Sequence, residues 1–176
     1  MLTEVIDLYT IDREKTNETL VRGVNLPNGR YRLVAHVCIF NSKNQMLIQQ
    51  KATLKNRTNI WDLSAGGSVI SGENSRCGIR RELEEELGIE YDFVNEKPSL
   101  TVYFKDCIDD IYILRNVDVD IARLSLQEIE VKNVRWADKE QIFLMIDQGI
   151  FTQFDKSYIE LLFFMNRNGA GCIVNK

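Results

Sequence analysis

GSVISGENSRCGIRRELEEELGI, residues Gly67 to Ile89, contains a helix that works against its own electrostatics. Asn74 is a good N-cap, and Gly88 suits the left-handed position just past a helix end, so the spacing predicts a helix over 73–88. On a helix turning about 100° per residue, Ile79, Leu83 and Leu87 fall within about 80° of one another and form a core-facing stripe. Glu82, Glu85 and Glu86, spaced i, i+3, i+4, fall within about 100° at the edge of that stripe. Like charges at these spacings repel by about 0.2–0.5 kcal/mol per pair. Acids in the last turn also oppose the helix dipole, at about 0.3–1 kcal/mol each. One reading is a solvated acidic face. The other is a binding surface for a hard divalent cation, which favours clustered carboxylate oxygens. Broken local rules tend to mark functional sites.

Upstream of the helix, RLVAHVCIF (Arg32 to Phe40) is a nearly continuous apolar run, as a buried strand should be. Residues 41–44 turn the chain, and Gln45 to Gln50 returns as the second strand of a hairpin. A polar stretch from Lys51 to Asn59 leads to WDLSAGG, Trp61 to Gly67. At the N-terminus, Val5 to Thr10 reads as a strand with Leu20 to Val24 as its hairpin partner, followed by a loop over 25–29. Downstream, strands are predicted at Leu100 to Phe104, Ile111 to Val117 and Glu130 to Trp136. Helices are predicted at Lys139 to Ile146 and Gln153 to Met165. Strands interleaved with helices imply an α/β fold with a mixed sheet.

The length of 176 residues fits one domain: an N-terminal β extension over 1–29, a core over 30–147, and a C-terminal helix and tail over 148–176. No apolar run approaches the roughly 20 residues of a spanning helix. The first residues lack the order of a secretory signal, so a soluble cytoplasmic protein is expected. The net charge of −4 argues against a nucleic-acid polymer as partner. It leaves a phosphorylated small molecule open, because a bound divalent cation inverts the local field. Cys38, Cys77, Cys107 and Cys172 form no CxxC pair, and the single His36 cannot complete a zinc cluster, so reduced thiols are expected.

The stretch resembles the Nudix box: Gly67, Glu73, Arg81, Glu82, Leu83, Glu85, Glu86, Gly88 and Ile89 occupy its nine fixed positions. The resemblance implies an α/β/α sandwich with a mixed sheet, and hydrolysis of a diphosphate linkage with Mg2+ or Mn2+. It implies Glu85 and Glu86 as main metal ligands, with the Gly66 carbonyl as a further one. Glu82 is implied as general base or additional ligand, and Arg81 with Glu73 as the pair tying the loop to the helix. Gly67 and Gly88 give the box structural support. Some members use an acid from outside the box; Asp109 and Asp110 are the first candidates here, Glu128 and Glu130 the second.

The lead-in to the box is similar to the branch containing type I isopentenyl-diphosphate isomerase. That enzyme needs a cysteine and histidines around the glycine turn, where this chain has Ser64, Ala65, Gly66, Gly67 and Ser68, so the isomerase chemistry is not expected. A non-catalytic Nudix module that binds a nucleotide as a sensor is the alternative, although such modules often lose box glutamates. Selectivity lies outside the box, with Arg32, Gln49, Lys51, Trp61 and Tyr103 as candidate substrate contacts. Homodimers are common in the family, but the sequence shows no dimer surface.

Overall fold

The computed structural model describes residues 4–52 and 59–168. Its strands are β1 (Val5–Tyr9), β2 (Lys15–Val21), β3 (Tyr31–Ile39), β4 (Met46–Lys51), β5 (Trp61–Asp62), β6 (Ala65–Ser68), β7 (Leu100–Tyr103), β8 (Cys107–Leu114) and β9 (Val131–Ala137). Its helices are α1 (Ser75–Leu87), α2 (Lys139–Asp147) and α3 (Lys156–Asn168), with a 3-10 turn at Ile121–Arg123.

Strand β3 organises the larger sheet, of order β2-β1-β3-β8-β7, with β6 also paired to β3. The β3–β8 ladder is parallel, the other named ladders are antiparallel, and the sheet is therefore mixed. Side chains alternate across a strand, so β3 feeds two cores. Leu33, Ala35, Val37 and Ile39 pack with Ile79, Leu83 and Leu87 of α1. Cys38 and Phe40 pack with Ile142 and Met145 of α2 and Ile159, Leu162 and Phe163 of α3. The result is an α/β/α sandwich. A smaller sheet, β5-β4-β9, stands beside it.

The ends of α1 follow local chemistry. The Asn74 side chain accepts from the Cys77 N–H at 3.0 Å, and Gly88 takes φ 66° as the C-cap. Elsewhere the boundaries differ from expectation. β2 begins at Lys15 rather than Leu20: KTNETLV is a largely solvated edge strand, held by its ladder to β1 and not by apolar alternation. β8 begins at Cys107 rather than Ile111, and all eight of its residues are buried. α3 starts at Lys156, three residues after the predicted Gln153, where the Asp155 side chain accepts from the Ser157 N–H at 2.8 Å. Cys38, Cys77 and Cys107 are free thiols; Cys172 and part of the polar stretch after Lys51 lie outside the described residues. Among the described residues, no helix is long and apolar enough to cross a membrane.

Candidate active site

The short strand β6, the longer β3 and α1 bring the box side chains together. β6 pairs with β3 (Gly66 opposite His36, Gly67 opposite Ala35), and α1 lies across this ladder. The turn needs glycine at both positions because other atoms take the space. A Cβ on Gly67 would fall 2.4 Å from Glu82 Oε1, and one on Gly66 would fall 2.2 Å from His36 Cδ2 and 2.8 Å from the Ala35 carbonyl oxygen. Glu82 and Glu86 are buried beside Leu83 and Leu87, whereas the Glu85 side chain is half exposed.

Arg81 ties this arrangement together. Its Nη1 donates to Glu82 Oε1 (2.9 Å) and Glu85 Oε2 (3.0 Å). Its Nε donates to Glu73 Oε1 (2.9 Å), and its Nη2 to Glu73 Oε2 (3.1 Å) and the Ser68 carbonyl (3.0 Å). The bidentate grip on Glu73 fixes the loop to the helix. Burial pushes the Glu82 carboxyl up to about 7 against the opposing pull of Arg81. Asp7 anchors the same loop from β1, accepting from Ser71 Oγ (2.8 Å) and the Gly72 N–H (2.9 Å) and pairing with Lys15 Nζ at 2.6 Å.

Glu86 is held from the smaller sheet. Lys51 Nζ lies 2.7 Å from its Oε1, while Gln49 Nε2 and the Gly66 N–H donate to its Oε2 at 3.0 and 3.1 Å. Burial alone would lower the Lys51 ammonium, but Glu86 beside it raises it on balance. Gln49 and Lys51, read from the sequence as substrate contacts, are therefore partners of a box glutamate. The period-2 alternation of β4, which puts them on the same side as buried Leu47, was the available signal.

The other candidates scatter. Asp109 and Asp110 stand inside the buried strand β8 and face opposite ways. Asp109 meets His36 Nδ1 with both oxygens at 2.9 Å, while Asp110 is gripped by Arg13 and accepts from Thr101 Oγ1 at 2.7 Å. Burial would lower the His36 imidazole, but the Asp109 bond raises it on balance. Glu128 and Glu130 are exposed ahead of β9. Trp61, a candidate substrate contact from the sequence, is a core residue with the Arg135 guanidinium 4.9 Å from its ring centroid. Tyr103 packs edge-on to Tyr31, on the sheet face opposite Arg32 and His36, so Arg32 and Tyr103 do not line one pocket. Neither the Asp7 anchor nor the Asp109–His36 pair was legible in the sequence, because each joins residues far apart in the chain.

Among the described residues, no three His, Cys, Asp or Glu side chains are already drawn together as an ion cage. The donor set nevertheless fits a hard cation. Glu82 and Glu86 lie against the glycine turn with Glu85 linked to Glu82 through Arg81, and the buried Gln49 Oε1 has no hydrogen-bond partner among the described residues. The protein cations Arg81 and Lys51 take the carboxylate oxygens that such an ion would share.

Comparison with known proteins agrees with this geometry. The NUDIX domain family matches residues 30–162. A Nudix hydrolase of Listeria innocua is 39% identical over 162 residues, covering 92% of this chain and 90% of that protein. A Nudix hydrolase of Listeria monocytogenes is 38% identical over the same shares. The crystal structure of DR0079 from Deinococcus radiodurans superposes with a TM-score of 0.71 at 25% identity, covering 90% of this chain and 97% of that one. With the box glutamates gathered on the glycine turn and the match spanning most of its length, the chain belongs to the Nudix hydrolases, enzymes that cut diphosphate linkages in small molecules.

Proposed function

We propose that this chain, in the cytoplasm and with Mg2+ or Mn2+, hydrolyses the diphosphate linkage of a nucleoside diphosphate-X or a related organic diphosphate. The observation that carries the reading is the packing of Glu82 against the Gly67 position and of Glu86 on the Gly66 N–H, with Glu85 tied to Glu82 through Arg81. Glu85, Glu86 and the Gly66 carbonyl would hold the cation, with Glu82 beside them. When bound, the cation offsets charge on the diphosphate oxygens and acidifies water.

The chain's own groups do the rest. Arg81 holds Glu82 and Glu85 in fixed orientation through one nitrogen, so the two carboxylates face the reacting centre as a unit. Glu82, sheltered against Gly67, is placed to orient the attacking water and take its proton. Attack at phosphorus breaks a bridging P–O bond. It releases two phosphorylated fragments, or orthophosphate where a terminal phosphate is cut.

The test is Glu85→Gln assayed on a panel of nucleoside diphosphate sugars, dinucleoside polyphosphates and nucleoside triphosphates. Turnover is expected to vanish, as it should in the wild type with EDTA. The melting temperature should hold or rise, since one charge leaves a repulsive cluster. A Glu85→Gln enzyme with full activity, or wild-type turnover untouched by chelation, would refute the assignment.

A further inference from the structure

Gln49 sits on β4 with 1% of its surface exposed and makes a single side-chain hydrogen bond, from Nε2 to Glu86 Oε2. Its Oε1 is buried and has no partner among the described residues. The amide cannot be turned round to cure this, because its oxygen would then face a carboxylate oxygen at 3.0 Å with no proton between them. Nor do the neighbours supply a donor. Across the ladders, Gln49 stands opposite Asp62 on β5, an acceptor when ionised, and Val134 on β9, which is apolar. Lys51, two residues along on the same side, is committed to Glu86. Buried carbonyl oxygens without a partner are uncommon in folded proteins and call for an explanation.

We propose that Gln49 is a further oxygen donor of the cation site, its Oε1 reserved for a hydrated divalent ion held by Glu86. The inference rests on the cation reading given above and extends it to a residue outside the box. The same amide does two jobs. Its nitrogen orients the Glu86 carboxylate, and its oxygen offers a neutral hard donor suited to the ion or to a water it carries. Partners of this kind fix ligand orientation, and losing one weakens metal binding about 10–100-fold. In the ion-free protein the oxygen is left unsatisfied, a cost tolerated because binding relieves it.

The test is Mn2+ titration of the full chain without substrate, by calorimetry or by the electron paramagnetic resonance of free Mn2+, with melting temperature measured in parallel. Gln49→Met, close in volume and without the amide, is expected to bind Mn2+ at least about tenfold more weakly than wild type. Gln49→Glu keeps an oxygen and is expected to bind at least as tightly as wild type, to melt lower in EDTA, and to recover more on adding Mn2+. If Gln49 only oriented Glu86, both variants would lose affinity together, since neither can donate to it; that result overturns the proposal. Equal binding by Gln49→Met and wild type overturns it as well. Should Gln49→Met fail to fold, the comparison of Gln49→Glu with wild type decides the question. A wild-type protein that binds no Mn2+ is a different failure, that of the cation reading itself.

Discussion

Gly67→Ala separates the chemistry of the box from its folding. The new Cβ would stand 2.4, 2.6 and 2.9 Å from Oε1, Cδ and Oε2 of Glu82, where ordinary contact begins at 3.4 Å. Something must therefore move by about 1 Å, a displacement that costs on the order of 10²-fold when it falls on a reacting group. The helix cannot retreat as a body, because Ile79, Leu83 and Leu87 are wholly buried beneath it. The Glu82 carboxyl yields instead, against the hydrogen bond from Arg81. Because a side-chain end gives way and not backbone, the stability loss belongs at the lower end of the about 1–3 kcal/mol typical of overpacking. The expected result is a kcat lowered about 10²-fold with Mn2+ or Mg2+, and a melting temperature lowered by only a few degrees. Gly66→Ala is the contrast. Its Cβ would meet the His36 ring and the backbone oxygen of Ala35, so it should damage folding itself. A Gly67→Ala enzyme with kcat within about twofold of wild type would show that Glu82 has no place in the reaction.

Two further substitutions probe how the site is held. Lys51→Met leaves Glu86, 1% exposed, without its cation, and breaking a buried pair costs about 3–5 kcal/mol. The variant should melt well below wild type in EDTA, and the gap should narrow when Mn2+ replaces the lost charge; equal melting in EDTA would mean the pair is not formed in solution. Asp7→Asn removes the charge that anchors the box loop. Burial alone would raise the Asp7 carboxyl, but bonds from Lys15, Gly72 and Ser71 hold it below its ordinary 3.8. A lowered folded value means stability that is full above 3.8 and lost as pH falls through the still lower folded value. Urea unfolding should therefore show Asp7→Asn weaker by about 1.5–3 kcal/mol at neutral pH. The two curves should converge as the pH drops below 3.8. A gap that stays constant with pH would assign the effect to packing.

What could be read in the sequence was what neighbouring residues settle among themselves. The caps of α1 are contacts within a few residues, so Asn74 and Gly88 marked its ends. The apolar run of β3, buried on one face and half-buried along much of the other, marked it as an inner strand. β2 was hidden for the opposite reason, because Lys15 to Val21 is stabilised by a backbone ladder that leaves no apolar pattern. Asp109 and Asp110 could be read only as candidate acids from outside the box, because their partners were not visible. Those partners, His36 and Arg13, lie 73 and 97 positions away and meet them only once β3 and β8 run side by side.

The same division runs through the site. The box packs Glu73, Arg81 and the three glutamates into one loop and helix, so their grouping was visible in one dimension. The side-chain partners of Glu86, Gln49 and Lys51, come from the smaller sheet, and their absence from the local reading changed its energetics. Taken alone, the helix carries an uncompensated acidic cluster. In the folded chain, the four carboxylates of Glu73, Glu82, Glu85 and Glu86, if all ionised, face the two cations Arg81 and Lys51. The remaining local charge of −2 is what one divalent ion offsets. Under the cation reading proposed above, binding would be an exchange, in which an ion takes carboxylate oxygens now held by an ammonium and a guanidinium. An ammonium displaced from Glu86 would then be free to meet the negative charge of a diphosphate, so the group that stabilises the ion-free protein would turn into a substrate contact.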